Sequence, residues 1–201
     1  MEQNQERKFE ARRQLFHILL GLSIVVFINY NILNRITMPI IIIAGFLISH
    51  YSKKSSIPVI SWFLLKFERK THLRTFPGRG VIFYFLGAFI VLLLFDDRNI
   101  ALASIMILAF GDSVSHIFGI HFGKTPHPLS GKKFIEGGIA GFFAGLLGAM
   151  VFVNFQEAAL AAFAAMAAEA IDVKIGIEQV ADNLIIPVVA GATIWALRIL
   201  T

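Results

Sequence analysis

Asp112 and His116 stand one helical turn apart in an otherwise apolar stretch, Ile100–Phe122. A carboxylate in such surroundings is costly unless a cation, a hydrogen-bond donor or a metal meets it, so it is read as functional. His116 alone would equally serve as a hydrogen-bonded interior histidine. The segment that follows is Gly123-Lys124-Thr125-Pro126-His127-Pro128-Leu129-Ser130-Gly131-Lys132-Lys133, and Phe134-Ile135-Glu136-Gly137-Gly138 opens the next apolar run. Three lysines, flexible glycines and a helix N-terminus make a cradle for phosphate. The same cations would also serve as topology anchors. The loop is no Walker A motif, because the Gly-Lys-Ser/Thr spacing is absent. Glu136 tips the balance towards chemistry. It suits the positive end of a helix, and with Asp112 it forms an acidic pair suited to Mg²⁺, which takes one or two carboxylates plus substrate phosphates.

Other polar residues fall where apolar ones are expected. Glu169 lies near the end of an alanine-rich segment, and Asp182-Asn183 precedes the last apolar run, which contains Pro187. Taken alone, Asp182 reads as a helix N-cap. Arg13, His17 and Gly21 recur every four residues, on one face of a helix. Arg13 could be a topology anchor, whereas His17 lies within the apolar run and needs a partner.

These residues must be carried by membrane helices. Of the 201 residues 57% are hydrophobic and 15% charged, with a mean hydropathy of +0.74. Soluble domains carry about 25% charged residues, so a water-facing surface cannot be built from this chain. There are no cysteines, hence no disulfide framework or thiolate chemistry. Seven segments approach spanning length: roughly Leu15–Ile28, Ile36–Tyr51, Val81–Phe95, Ile100–Phe122, Phe134–Val153, Glu157–Ile171 and Leu184–Leu200. The sixth is only weakly hydrophobic and depends on its neighbours. Ile57–Phe67 is too short to cross and reads as an interfacial helix. No cleavable signal peptide is expected.

With a cytoplasmic N-terminus, every Lys and Arg except Arg35, Arg98 and Arg198 falls on the cytoplasmic side. The expectation is therefore an all-α polytopic transmembrane bundle of about seven spans. It forms one catalytic domain, 1–201, with a cytoplasmic segment 1–14, a basic cytoplasmic loop 52–80 and a phosphate loop 123–136. A six-span arrangement would leave the first five spans unchanged. Small residues recur every four positions at Gly111, Ser115, Gly119 and Gly123, and at Gly137, Gly141 and Gly145. Such stripes let helix backbones approach closely in lipid.

Together these blocks resemble the CTP-dependent lipid-alcohol kinases, the family of dolichol, phytol and diacylglycerol kinases. The resemblance rests on Arg12, Arg13 and His17; Gly111 and Asp112; Gly119 and Gly123; Gly131, Lys132, Lys133, Glu136 and Gly137; Glu169; and Asp182, Asn183, Leu184 and Pro187. Phe134 and Gly138 stand where that family usually has serines, and Ala181 where it has an aspartate. The loop is also similar to that of phosphatidate cytidylyltransferases, whose Gly-rich Asp-Arg-x-Asp segment is absent here.

The resemblance implies transfer of the γ-phosphoryl group of CTP to the hydroxyl of a membrane lipid alcohol at the cytoplasmic face of a cell or internal membrane. It implies catalytic roles for Asp112, Glu136 and Lys133, and Mg²⁺ held by Asp112, Glu136 and Asp182. Nucleotide would be bound by Lys124, Gly131, Lys132, Lys133, Gly137 and Asn183, and lipid substrate by Arg13, His17, His116 and Glu169. No nucleic-acid partner is expected. A small proton-carrying transporter is the reading from another class, and the nearly all-apolar outer halves of the spans count against it.

Overall fold

The computed structural model describes residues 2–53, 58–68, 73, 75–131, 133–171 and 178–200. Lys132 and Lys174 lie outside them. The helices are α1 (Glu2–Asn29), α2 (Thr37–Ser52), α3 (Pro58–Phe67), α4 (Arg79–Leu94), α5 (Arg98–Met106), α6 (Ser113–Phe122), α7 (Ile135–Ala149), α8 (Phe155–Glu169) and α9 (Glu178–Leu200). A π-helical turn, Ile107–Asp112, joins α5 to α6. Among the described residues there is no strand, and one isolated bridge pairs Pro126 with Phe134.

Two boundaries differ from the sequence expectation. The first helix begins at Glu2, so the charged N-terminal segment is helical, and it carries Glu10 and Arg13 onto the bundle. α9 begins at Glu178, which puts Asp182 inside the helix and not at its N-cap.

Three helical stretches are long and apolar enough to cross a membrane unaided: Gln5–Asn29, Arg98–Phe122 and Ala181–Leu200. α2, α4 and α7 are apolar but shorter. At 1.5 Å per residue, sixteen residues reach only about 24 Å, against a hydrocarbon core of about 30 Å. The outer face of α2 is nonetheless a continuous apolar stripe of Ile36, Ile40, Ile43 and Leu47, each more than half exposed. A stripe of that kind suits lipid rather than water.

The core around α7 and α8 is built by small residues. Ala158, Ala161, Ala162 and Ala165 of α8 are fully buried between α7 and α9, so the weakly hydrophobic sixth segment is held by its neighbours. A capping box between Asn154 and Glu157 starts it. The two glycine stripes meet each other: a Cβ on Gly141 would lie 2.6 Å from the Gly111 carbonyl and 2.7 Å from the Ser115 side chain, and one on Gly137 would lie 2.6 Å from the Ser115 carbonyl. Gly138, one residue along, has nothing within 4 Å.

Gly141→Ala is therefore expected to cost about 1–3 kcal/mol, because backbone would have to move. Gly138→Ala should be neutral or stabilise by about 0.5–1 kcal/mol through helix propensity. Thermal unfolding in detergent compares the two, and equal melting temperatures would sink this account of the α6–α7 contact.

One end of the bundle is tied by the arginines that the charge pattern put outside. Arg35 donates to the Leu92 carbonyl and to Asp96, and Arg98 reaches the Asn29 carbonyl. Arg198 pairs with Glu157 and Asp97.

Candidate active site

The opposite end gathers the residues with chemistry. On α1, Glu10, Arg13, His17 and Gly21 form one stripe, and each has a partner across the interface with the π turn, α6 and α4. The Glu10 carboxylate lies 2.8 Å from the Arg13 guanidinium and 3.2 Å from His116 Nε2. His17 Nε2 lies 3.8 Å from Asp112 Oδ2, beyond hydrogen-bonding distance, and has no hydrogen-bond partner among the described residues. Gly21 leaves room for the Tyr84 hydroxyl, which a Cβ there would meet at 2.2 Å. The expectation that Asp112 and His116 share a face holds: both look onto α1.

The π turn ends at Asp112. Its extra residue per turn resets the helix register at that point, and such turns are frequent at functional sites. Here it lets Gly111 seat on α7 and Met166 while the next residue, Asp112, faces His17.

Lys133 is the hub of the second group. Its ammonium is 3.0 Å from Glu169 Oε1 and 3.4 Å from Asp182 Oδ2, and it also donates to the Glu169 carbonyl. The loop is thereby fastened to the end of α8 and the start of α9. Burial disfavours the Lys133 charge, but Glu169 and Asp182 outweigh it and hold the pKa above the ordinary lysine value. The field of Asp112 also reaches Lys133, Glu169 and Asp182, so the four belong to one electrostatic cluster.

Glu136 has other partners. Its carboxylate accepts from the Thr125 hydroxyl at 2.8 Å, the Thr125 amide at 3.0 Å and the Lys124 amide at 3.3 Å. A helix-start carboxylate folding the preceding loop over itself satisfies those free amides. The structure thus joins Asp112 with Glu169 and Asp182, and joins Glu136 with the loop. No described group of three or more acids and histidines is close enough to form a ready-made metal cage.

The remaining expected residues divide in the same way. Lys124 is exposed on the loop and Gly131 is open, whereas Gly137 is occupied by packing against Ser115 and Gly119. Asn183 is buried and donates to the Gly80 carbonyl at 3.2 Å. Pro187, four residues on, lacks the N–H that would bond the Asn183 carbonyl. That carbonyl instead abuts Gly87, where a Cβ would come within 2.0 Å. The Asp-Asn-Leu-x-x-Pro block therefore locks α9 against α4.

Two residues of this end carry little sequence signal. Glu10 sits in a charged segment and resembles any surface acid; its place three residues before Arg13 is the one available hint. Tyr84 reads as one aromatic among many, and nothing in its neighbours marks it.

An apolar helical bundle with a lysine, several carboxylates and a basic loop at one end is a membrane protein with a polar site at its rim. The chain belongs to the cytidylyltransferase family, whose model matches residues 2–195. It is 29% identical over 187 residues to a Methanocaldococcus jannaschii protein of uncharacterized function, covering 90% of this chain and 91% of that one. It is also 29% identical over 133 residues to the CTP-dependent diacylglycerol kinase 1 of Schizosaccharomyces pombe, covering 58% of this chain and 59% of the kinase. No solved structure matches. The resemblance to CTP-dependent lipid kinases is borne out.

Proposed function

We propose that the protein is a CTP-dependent kinase that phosphorylates the hydroxyl of a membrane lipid alcohol, a polyprenol, a phytol-like prenol or a diacylglycerol. The observation that carries this reading is the cluster of Asp112, Glu169, Asp182 and Lys133 beside the basic loop, in a chain related to a CTP-dependent diacylglycerol kinase. Phosphoryl transfer asks a protein mainly for positioning and charge neutralisation. Lys133, Lys132 and Lys124 hold the phosphates, with Lys133 turning from its carboxylates to the nucleotide. The lipid oxygen bonds to the γ-phosphorus, the bond from that phosphorus to the β,γ-bridging oxygen breaks, and CDP leaves. The hydroxyl proton passes to Asp112.

Asp112 and Asp182 fit Mg²⁺, since that ion needs only one or two protein carboxylates when phosphates complete its shell. Glu136 supports this site by shaping the loop. There the ion would supply charge neutralisation for the transferred phosphoryl group.

The proposal includes seven spans with a cytoplasmic N-terminus. Its support is that Arg35, Arg98 and Arg198 gather at one end and Lys133 at the other. α2, α4, α7 and α8 then cross by local bilayer thinning.

The family name also favours a second reading, a cytidylyltransferase that makes a CDP-lipid with attack at the α-phosphate. Purified protein in sealed proteoliposomes, given CTP and either a prenol, a diacylglycerol or a phosphatidate, separates the two. The kinase releases CDP and a lipid phosphate; the cytidylyltransferase releases pyrophosphate. Pyrophosphate release would overturn the kinase assignment. A single cysteine at His127, labelled only from the face to which CTP must be added, checks the topology in the same vesicles.

A further inference from the structure

The α1–α4 interface holds polar groups that the fold leaves unused. Tyr84 is wholly inaccessible, yet its hydroxyl has no hydrogen-bond partner among the described residues. The His17 Nε2 atom is buried and equally without a hydrogen-bond partner. The two rings meet edge to face with centroids 4.5 Å apart, and His17 points at Asp112 from 3.8 Å. Gly21 and Ala109 wall the hydroxyl: a Cβ on Gly21 would lie 2.2 Å from the Tyr84 oxygen and 2.6 Å from the Ala109 Cβ.

Buried hydroxyls and imidazoles are nearly always bonded, and an unbonded one carries a desolvation penalty that nothing in the fold offsets. Two such atoms on rings in contact, one of them facing the Asp112 carboxylate, form a donor–acceptor set for a small polar group. Gly21 and Ala109 give the Tyr84 hydroxyl apolar walls, and the Asn183 side chain is a hydrogen-bond partner of the His17 ring. A group that brings one hydroxyl on an apolar tail matches this socket; a phosphate or a nucleotide does not.

We infer that Tyr84, with His17, forms the socket that receives the acceptor hydroxyl of the lipid alcohol and holds its oxygen beside Asp112. This rests on the kinase reading for its consequence in turnover, but binding of the alcohol can be measured without nucleotide. Tyr84 is a binding residue here. It accepts or donates one hydrogen bond to the substrate oxygen and takes no proton away.

The test uses full-length protein in lipid nanodiscs, without CTP, and a photoreactive prenol and a photoreactive diacylglycerol as probes. Each is competed by its unlabelled alcohol and by the corresponding methyl ether. The expected result is that one alcohol labels wild type near Tyr84, that its methyl ether competes poorly, and that Tyr84→Phe weakens alcohol binding about tenfold, as loss of one hydrogen bond in a buried site does. The melting temperature of Tyr84→Phe should stay level or rise, since the variant removes an unbonded buried hydroxyl. In turnover, the KM for the lipid should rise by a similar factor and the KM for CTP should not move.

Equal competition by alcohol and ether, or wild-type alcohol binding by Tyr84→Phe, overturns the socket. A lowered melting temperature with unchanged alcohol binding makes Tyr84 a packing residue. Should the binding results hold while CTP yields pyrophosphate, the socket stands and the kinase reading falls.

Discussion

Asp112→Asn is expected to lower kcat by about 10²–10⁴-fold while the protein stays folded, because the carboxylate that accepts the hydroxyl proton is replaced by an amide that cannot. The substitution keeps the shape of the side chain, so packing beside Gly111 and His17 is undisturbed. Its effect on stability has the opposite sign. The Asp112 carboxylate lies 3.8 Å from His17 and feels two negative groups, Glu169 and Asp182, against the one ammonium of Lys133. Removing an ill-compensated charge from apolar surroundings relieves a desolvation cost, so without metal the variant should melt at a higher temperature than wild type. Addition of Mg²⁺ and a non-hydrolysable CTP analogue should then stabilise wild type far more than the variant. Steady-state kinetics with CTP and a lipid alcohol, beside melting curves with and without Mg²⁺, measure both effects. An active Asp112→Asn enzyme with normal metal dependence would remove Asp112 from the mechanism.

Lys133 is the second position where a single change should be severe. It holds Glu169, 7% exposed at the side chain, and Asp182, 22% exposed, on one ammonium. Lys133→Met leaves two carboxylates facing each other at the junction of α8 and α9. The expected cost is about 3 kcal/mol, the low end for breaking a buried pair, because a quarter of the lysine side chain reaches solvent. Adding Glu169→Gln should recover much of that loss, and the double-mutant cycle isolates the coupling. Lys133→Arg keeps the charge and should keep most of the stability. It should still lower kcat/KM at least about tenfold, since a planar guanidinium cannot present one compact charge to the phosphates and small misplacements are costly. Wild-type kinetics for Lys133→Arg would make this lysine a fold anchor only.

The pH dependence follows in sign. The folded pKa of Lys133 is raised above 10.5 by Glu169 and Asp182 against the opposing effect of burial. Its contribution to stability is therefore complete below that value and is lost as pH rises through the higher folded one. The proton on Lys133 itself therefore adds no pH dependence to stability below its unfolded value.

Periodicity made much of this end of the bundle legible. The four-residue steps of Arg13, His17 and Gly21, and of Asp112 and His116, place each set on one helix face, and those faces do meet. The glycine stripes of the fourth and fifth segments face each other for the same reason: only small residues let backbones come so close. The charge pattern sorted the arginines that tie the far end from the lysines of the loop.

What periodicity cannot carry is which face meets which, and what a polar atom finds when it arrives. Glu136 and Asp112 read as one acidic pair because both flank the same loop. In the folded chain Glu136 turns to the amides of Lys124 and Thr125, since a helix start leaves those donors free and nearer. Asp182 read as a cap because a polar pair precedes an apolar run, but it lies inside a helix that has already begun and pairs with the ammonium of Lys133, 49 residues earlier in the chain. Glu10 had only its spacing to Arg13 as a signal, and Tyr84 had none. A surface acid and an apolar-helix tyrosine acquire meaning only from partners gained or withheld across an interface: His116 for one, and no partner for the other. The chemistry was written along the chain, and its pairing was decided by helix packing, because hydrogen bonds and ion pairs act over a few ångströms whatever the separation in sequence.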